Sequence, residues 1–363
     1  MSYFYSSVGT KSHLKVVYCY VILFLCRIFK DGVSALIRIG MLSYWHVHAE
    51  DYTRQVLANP ATEVAAIWDE LPDRGAAMAA KYGVPYIESL DELLARSDID
   101  AVVVDAPTNI HREVMVKAAK AGKHIFTEKV VAATYAEVRD ILAAVKEASV
   151  KLTVSLPRLY TDYTRGIEAV VQEGTLGRLT LARARLSHNG GIANWLPEHF
   201  YSLEQCGGGA LIDLGCHPMY LVRRFLGLPE SVRATYGYVT GREVEDNAVS
   251  VLQYKDGAIG IVEAGFVNSH SPFSVELHGT EGTLLYGFAD DALHVRSNRL
   301  GDGWKRLELP GREPEAFDQW VIHIQNGTEA TDNIEMAVDL TRLMEASNLS
   351  AKAGRAVSIS ELK

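Results

Sequence analysis

Short β-rich apolar runs alternate with amphipathic helical segments over residues 35–156, and this alternation constrains the fold more than any other feature. The clearest run is IDAVVVD at residues 99–105, whose centre is uninterrupted and apolar. Such a run is typical of a strand that is buried on both faces. Strands that alternate with helices predict a parallel, doubly wound sheet with right-handed crossovers, the Rossmann type of α/β fold.

The boundaries of these elements follow from the apolar period and from turn and cap residues. We predict strands at residues 36–42, 63–68, 99–105, 124–127 and 151–155, and helices at 46–58, 72–82, 111–121 and 134–148. Gly122 ends the third helix as a C-cap residue. Thr134 and Glu137 are spaced as a capping box at the start of the fourth.

The pattern changes after Arg158, where closely spaced strand candidates replace the alternation. They lie at residues 231–240, 248–254, 258–266, 273–278, 283–287 and 293–297, with the hairpin turn signal Asp256-Gly257 between two of them. Helices are predicted at 162–173, from the triple glycine 207–209 to Gly227, and at 333–351. We therefore expect a separate C-terminal α+β domain with an open, mostly antiparallel sheet.

These patterns predict an atypical N-terminal extension at 1–33, a dinucleotide-binding domain at 34–157, and a substrate-binding and oligomerisation domain at 158–363. Two domains also suit a chain of 363 residues. Apolar residues alternate along two predicted strands of the second domain, which predicts a sheet face that a second subunit covers, in a homodimer or homotetramer. These residues are Val249, Val251, Ile259 and Ile261.

Charge and cysteine usage exclude some partners and compartments. A formal net charge of -9 argues against nucleic acid, whose binders need a basic face. The apolar run at 16–26 is too short to span a membrane and resembles a signal-peptide core, although an upstream extension from a misassigned start explains it as well. We expect a cytoplasmic protein, with export as the alternative, and free thiols at Cys19, Cys26, Cys206 and Cys216.

The turn after the first predicted strand reads Ser43-Tyr44-Trp45-His46-Val47-His48 and lacks the glycines that usually let a backbone approach a pyrophosphate. Ser43 can donate to a phosphate if Trp45 and His46 swing aside. Asp69 ends the second strand, where an acidic residue either accepts the ribose hydroxyls of NAD and disfavours NADP, or caps the next helix. The loop Pro107-Thr108-Asn109, with His111, either lies under the nicotinamide ribose or caps the next helix.

Several segments together resemble the glucose–fructose oxidoreductase / inositol dehydrogenase (Gfo/Idh/MocA) family. They are Lys81-Tyr82-Gly83-Val84-Pro85, residues 99–111, Ala121 to Lys129, Gly207 to His217, and Gly279-Thr280-Glu281-Gly282-Thr283. The likeness covers the chain from about residue 37 to the C-terminus. It implies a nicotinamide-dependent oxidoreductase acting on a sugar, cyclitol or related polyol, with Glu128 at the cofactor. The family's first-turn glycines are absent, and Val130 replaces the proline of Glu-Lys-Pro.

The segment after the triple glycine carries the residues expected to react. Asp213 and His217 are four positions apart, so a helix places them on one face. Histidine suits a general base near neutral pH, and Asp213 either orients it or contacts the substrate hydroxyl. The resemblance implies that Lys129 completes the site and stabilises a developing alkoxide. The plainer interpretation is a structural Asp–His pair on a helix.

Polar and aromatic residues elsewhere are candidates for substrate binding, namely Arg158, Tyr160, His188, Asn189, Trp195 and His199. We expect no metal site, because His46-x-His48 and Asp213-x-x-x-His217 each lack a third partner. Two alternatives to a dehydrogenase stay open: an enzyme that cleaves glycosides by transient NAD-dependent oxidation, and a non-catalytic ligand sensor on the same fold.

Overall fold

The computed structural model describes residues 36–288 and 290–362. The apolar run at 16–26, the signal-like sequence around Ser34, and Cys19 and Cys26 lie outside the described residues. Cys206 and Cys216 are buried free thiols. No helix within the described residues is both long enough and apolar enough to cross a membrane.

The first sheet has five parallel strands in the order β2-β1-β3-β4-β5, which confirms the predicted Rossmann-type domain. The strands are β1 (Ile37–Leu42), β2 (Thr62–Trp68), β3 (Ala101–Val104), β4 (His124–Thr127) and β5 (Leu152–Val154). The helices between them are α1 (Ala49–Ala58), α2 (Pro72–Tyr82), α3 (Leu90–Ala95), α4 (His111–Lys120) and α5 (Tyr135–Ala148). The Thr134–Glu137 capping box of α5 is present as predicted.

The core of this sheet has two faces, since successive side chains of a strand point to opposite sides. Val102 and Ile125 face one side, in the cluster to which α4 and α5 contribute, while Phe126 faces the other. There Phe126 meets Phe317 and Trp320, with ring centroids 5.5 and 5.7 Å away. These two rings belong to α10 (Ala316–Asn326), so a helix from beyond the predicted boundary at residue 158 completes the first core.

The second sheet has nine strands in the order β13-β12-β11-β10-β6-β9-β8-β7-β14. Only the β6–β9 pair among these described strands is parallel, so the sheet is mixed and mostly antiparallel. Its strands are β6 (Leu179–Ser187), β7 (Ser231–Gly237), β8 (Asn247–Gln253), β9 (Ile259–Gly265), β10 (Ser274–Gly279), β11 (Gly282–Tyr286), β12 (Leu293–Ser297), β13 (Lys305–Leu307) and β14 (Val357–Ser358).

The remaining helices are α6 (Asp162–Gln172), the short α7 (Gly190–Ala193) and α8 (Leu203–Cys206), α9 (Cys216–Leu226), and α11 (Thr331–Ala353). Helices α9 and α11 cover one face of the second sheet, where Val222 of α9 and Leu252 of β8 belong to one buried cluster. The described residues thus form two layered units, and α10 packs on the first of them.

Strand β6 is not predicted from the sequence, although it is the middle strand of the second sheet. Its sequence LTLARARLS alternates, but alanine is a weak strand former and the arginines disguise the pattern. Ala182 and Ala184 are fully buried, while Arg183 and Arg185 lie on the other face and pair with Glu263 at 2.9 and 3.1 Å. Cross-strand ion pairs therefore stabilise a strand whose apolar side chains are small.

The open face of the second sheet carries the predicted apolar stripe. Val249 is 36% and Ile259 is 42% exposed, while Val251 and Ile261 are partly exposed. The opposite positions on the same strands are buried against the helices. An apolar sheet face in water is energetically unfavourable. The exposure of these residues therefore supports the prediction of a subunit interface, which stays a prediction.

We expect the protein to be a dimer or larger in light scattering at micromolar concentration. Ile259→Glu should shift it to smaller species, because a carboxylate is costly at a closed apolar interface. Leu57→Glu, at a 58% exposed position of α1, is the matched control and should leave the mass unchanged. A strictly monomeric wild-type protein would contradict the prediction.

Candidate active site

The turn after β1 occupies the position of a phosphate-binding loop, but aromatic side chains fill it. Ser43 has a φ of 78°, a conformation that favours glycine, so the backbone keeps a glycine-like path. Trp45 stacks on Phe200 at 5.4 Å, and its Nε1 donates to Gln205 at 2.8 Å. Trp45 and His46 are 6% and 7% exposed, so they have not swung aside.

Most backbone N–H groups of this turn already have acceptors within the protein. The N–H of Tyr44 donates to the Asp69 carboxylate at 2.8 Å, and the N–H of Trp45 donates to Ser43 Oγ at 3.0 Å. The N–H of His46 donates to the Asp105 carbonyl at 3.2 Å, and the N–H of His48 donates to His46 Nδ1 at 3.2 Å. The helix predicted from residue 46 consequently begins at Ala49. This turn does not present free N–H groups to a phosphate in the way that a glycine-rich loop does.

Asp69 is buried and fully engaged. Arg74 binds both of its carboxylate oxygens, at 2.9 and 2.8 Å, and the N–H groups of Tyr44 and Leu71 each donate to it at 2.8 Å. Leu71 is the N-cap of α2, so the carboxylate supports that helix start. Recognition of a ribose by Asp69 therefore requires Arg74 to move.

The loop after β3 is held by a buried histidine. The ring nitrogens of His111 lie 2.8 Å from the Ala106 carbonyl and 3.1 Å from the carbonyls of Val130 and Val131. His111 thus joins the loops after β3 and β4 and positions both. The alternative interpretation that Thr108 or Asn109 caps α4 is wrong, because Thr108–Ile110 forms a 3-10 turn and Ile110 is the N-cap.

The end of β4 delivers Glu128 and Lys129, whose side chains are both 2% exposed. The Lys129–Val130 peptide bond is cis. Lys129 Nζ donates to Asp213 Oδ1 at 3.1 Å and to the Asp213 carbonyl at 2.8 Å, and it lies 3.7 Å from Glu128 Oε1. The expected meeting of Lys129 and Asp213 from the two halves of the chain is therefore present.

Glu245 shapes the segment that carries Asp213. Its carboxylate accepts from the N–H groups of Gly209 and Leu211 at 2.8 and 3.0 Å, and its carbonyl accepts from Ala210 at 2.8 Å. A Cβ at Gly209 would lie 2.0 Å from the Glu245 carbonyl, so only glycine fits there. Residues Leu211–Gly215 form a π-helical turn before α9, an irregularity that is frequent at functional sites.

His217 and Asp213 do not form the pair that their spacing suggested. Asp213 binds Lys129, while His217 Nδ1 lies 3.1 Å from the Tyr220 hydroxyl, which accepts from the Arg158 N–H at 3.0 Å. Tyr220 therefore orients the imidazole. The prediction that Asp213 fixes the tautomer of His217 is wrong in this geometry.

Burial and neighbouring charges set the protonation states. Burial, together with the Lys129 ammonium and the Arg158 guanidinium, holds the pKa of His217 well below its usual range. Burial alone would lower the pKa of Lys129, but its neighbours Cys216, Asp213 and Glu128 raise it. Burial opposes the charge on Asp213, yet Lys129 lowers the pKa of that carboxyl. At neutral pH the site holds a charged lysine, a carboxylate and a neutral histidine.

A cavity of about 310 Å³ opens beside these groups. His217, His48, Arg158 and Tyr160 line it, so two of the substrate-binding candidates lie at the expected place. Lys129 and Asp213 line a neighbouring space of only about 30 Å³, together with Trp45 and His46. The larger of these two cavities lies at the lower end of the volumes of small-molecule pockets, roughly 300–1,000 Å³.

Three other substrate-binding candidates lie in aromatic clusters. His188 stacks on Phe266 at 5.2 Å and contacts Trp195. Trp195 is 55% exposed, and its Nε1 donates to Asn189 at 3.3 Å. His199 packs on Trp45 at 5.0 Å. The cavity beside His217 is lined by other residues, so a substrate role for these three stays a prediction.

Two buried acidic residues at this site, Asp105 and Glu245, are not predicted from the sequence. Asp105 has no exposed surface, and neither carboxyl oxygen has a partner among the described residues. Burial and the nearby Glu128 raise the pKa of Asp105 well above its usual range. Glu245 is the second of these acidic residues. The sequence shows only that it lies between two predicted strands, which does not indicate its contacts.

Comparison with known proteins agrees with this architecture. Residues 37–156 match the family model described as "Oxidoreductase family, NAD-binding Rossmann fold", and residues 164–285 match the "GFO/IDH/MocA C-terminal domain". Together the two matches cover more than half of the chain. The protein belongs to the GFO/IDH/MocA oxidoreductase family, as the sequence motifs implied.

Two curated relatives give the range of chemistry nearby. The chain is 31% identical over 231 residues to a 1,5-anhydro-D-fructose reductase of Ensifer adhaerens, which covers 61% of this chain and 68% of that protein. It is 25% identical over 339 residues to an inositol 2-dehydrogenase of Rhizobium meliloti, covering 89% and 99%. Both relatives are named for oxidation or reduction of a sugar derivative or cyclitol.

Solved structures share the fold. A levoglucosan dehydrogenase in complex with NADH and levoglucosan superposes with a TM-score of 0.77 at 20% identity, covering 89% of this chain and 99% of that one. A 3-ketoreductase from Actinomadura kijaniata in complex with TDP-benzene and NADP gives 0.75 at 23% identity, covering 87% and 98%. At this identity the likeness concerns the fold, and it leaves both nicotinamide cofactors open.

We expect Glu245→Ala to destabilise the protein by about 2–6 kcal/mol, because two buried N–H groups lose their acceptor at about 1–3 kcal/mol each. Denaturant unfolding measures this directly, with the exposed Glu173→Ala as the control that should change stability by less than about 0.5 kcal/mol. Equal stability of the two variants would show that Glu245 does not hold the segment carrying Asp213.

Proposed function

We propose that the protein transfers hydride between a nicotinamide cofactor and a secondary hydroxyl of a sugar, cyclitol or related polyol. The observation that carries the proposal is the buried Lys129–Asp213 ion pair near a neutral, oriented His217, which lines a cavity of about 310 Å³. Oxidation of an alcohol needs a base for the hydroxyl proton and a cation for the developing alkoxide. Family membership supports the same reaction class.

In the proposed reaction His217 is the base. The imidazole carries its proton on Nδ1 and donates it to the Tyr220 oxygen. Nε2 therefore keeps a free lone pair that can accept the substrate proton. Its lowered pKa keeps this nitrogen unprotonated at neutral pH. Lys129, held by Asp213, donates a hydrogen bond to the alkoxide, which is strong because the site is buried.

The fit of a nicotinamide cofactor differs between its two ends. At the reacting end, Glu128 Oε1 is buried and has no hydrogen-bond partner among the described residues, so it can accept a ribose hydroxyl. Thr108 lines the same small cavity as Lys129. At the phosphate end the N–H groups of the first turn are occupied, so Trp45 must move for a pyrophosphate to approach. Nicotinamide supplies hydride transfer when bound.

We propose NAD rather than NADP as the cofactor, with Asp69 accepting the ribose hydroxyls when Arg74 turns away. Fluorescence titration should then give tighter binding of NADH than of NADPH to the wild-type protein. Arg74→Ala should widen this preference, because it frees the Asp69 carboxylate and removes the guanidinium that suits a ribose phosphate. Tighter NADPH binding by the wild-type protein would contradict the assignment.

A panel of cyclitols and sugars with NAD, monitored for net NADH formation, tests the reaction class. A dehydrogenase forms NADH in step with the oxidised product. A glycoside-cleaving enzyme turns over a glycoside without net NADH, and a sensor binds a ligand without turnover. Product formation without NADH, or no turnover on the panel, would therefore contradict the proposal.

With an active substrate, His217→Ala and Lys129→Ala should each lower kcat by about 10²–10⁴-fold, the usual cost of losing a positioned acid–base group. Each should change cofactor affinity far less.

Wild-type kcat/KM for oxidation should be flat near neutrality and fall only in acid, where His217 becomes protonated. A change restricted to KM would mean that the residue contributes only uniform binding. Near-normal kcat in either variant would remove that residue from the mechanism.

A further inference from the structure

His46, His48 and Glu128 converge beside the proposed substrate cavity. Each offers one ligand atom, and these atoms lie within 4.8 Å of one another. The first two residues come from the turn after β1, and the third comes from the end of β4, which is 80 positions along the chain from His48. The sequence predicts no metal site, because the His-x-His pair has no third partner nearby in the chain, but the fold brings Glu128 beside it.

The three groups are arranged as a ligand set rather than as a surface cluster. His46 is 7% exposed and the Glu128 side chain is 2% exposed, while the His48 side chain is 38% exposed. His48 Nδ1 lies 3.3 Å from Glu128 Oε2, and the rings of His46 and His48 are 4.6 Å apart. Ligands at the usual 2.0–2.2 Å from a tetrahedral ion lie about 3.4 Å apart, so small side-chain rotations complete the geometry.

Supporting contacts hold the carboxylate in place. The Tyr52 hydroxyl donates to Glu128 Oε2 and lies 2.7 Å from Ser155 Oγ. Glu128 Oε1 has no hydrogen-bond partner although it is buried. The nearby Lys129 directs its hydrogen bonds to Asp213, which offsets its charge. Outer hydrogen bonds of this kind orient the ligands of metal sites.

We propose that His46, His48 and Glu128 bind one divalent transition-metal ion, such as Zn²⁺ or Co²⁺, at the edge of the substrate cavity. Two imidazoles and one carboxylate are a donor set of metal sites that keep open positions. His48 and His217 line the same cavity of about 310 Å³, so the open positions are available to vicinal hydroxyls of a polyol. Metal binding by these three residues does not require hydride transfer, whereas the contact with a polyol rests on the proposed function.

The test uses the full-length protein, with any affinity tag removed and after treatment with a chelator. Co²⁺ added to this protein should produce saturable visible absorption at one equivalent, and calorimetry should give the same stoichiometry for Zn²⁺. His48→Ala and Glu128→Gln should each weaken binding by more than about 100-fold, beyond the 10–100-fold of an outer-shell change. His323→Ala, a histidine on α10 away from the cluster, should bind like the wild type.

Thermal unfolding provides a second readout, because an ion that binds the folded state raises Tm. Zn²⁺ should raise Tm of the wild type and of His323→Ala, but not of His48→Ala. His48 is partly exposed, so its alanine variant is expected to fold even if the Glu128 variant does not. Absence of one-equivalent binding, or wild-type binding by His48→Ala, would overturn the proposal and leave His48–Glu128 as a plain ion pair.

Discussion

The ammonium group of Lys129 is almost wholly removed from water, and its ion pair with Asp213 is the interaction on which the site depends. A buried charge without a partner is strongly unfavourable, and breaking a buried pair typically costs about 3–5 kcal/mol. Lys129 follows a strand of the first sheet, while Asp213 lies in the π-turn before α9. The pair therefore connects the two halves of the molecule, and in the proposed reaction it lies where cofactor and substrate meet.

Around this pair, the fold places groups of different protonation close together. His217 stays neutral because burial and two nearby cations disfavour its charged form, whereas the Asp213 and Glu128 carboxyls stay ionised. Environments that push pKa values apart are how one site supplies both a base and a cation at pH 7. The first turn adds His46 and His48 to this region, where glycines would leave space for a pyrophosphate. The chain thus combines the lysine, aspartate and histidine of the proposed reaction with an aromatic first turn in place of a glycine-rich one.

The periodic parts of the fold could be predicted from sequence, because local patterns determine them. The five strands of the first sheet and the Thr134–Glu137 capping box follow from apolar runs and cap residues. Strand β6 could not be predicted in this way, since its pairing with Glu263 compensates for weak strand formers. Helix α10 also escaped prediction, and it completes a core that lies far from it in sequence.

At the candidate site, the meeting of Lys129 with Asp213 could be predicted, but the other contacts could not. Lys129, Asp213 and His217 followed from motifs, yet the partner of His217 is Tyr220 rather than Asp213. Spacing on a helix indicates which side chains share a face, and it does not decide between competing partners from other elements. Glu245 and the convergence of Glu128 with His48 depend on tertiary contacts between distant positions, so local sequence carries no signal for them.

A double-mutant cycle on kcat/KM with Lys129→Met and Asp213→Asn tests the central claim most directly. If the buried pair acts as a unit, the double variant should lose no more activity than the worse single variant, which gives a coupling energy of about 1–3 kcal/mol. Residues that act together in catalysis are strongly non-additive. Additive losses in the double variant would show that Lys129 and Asp213 act separately, and would contradict the account.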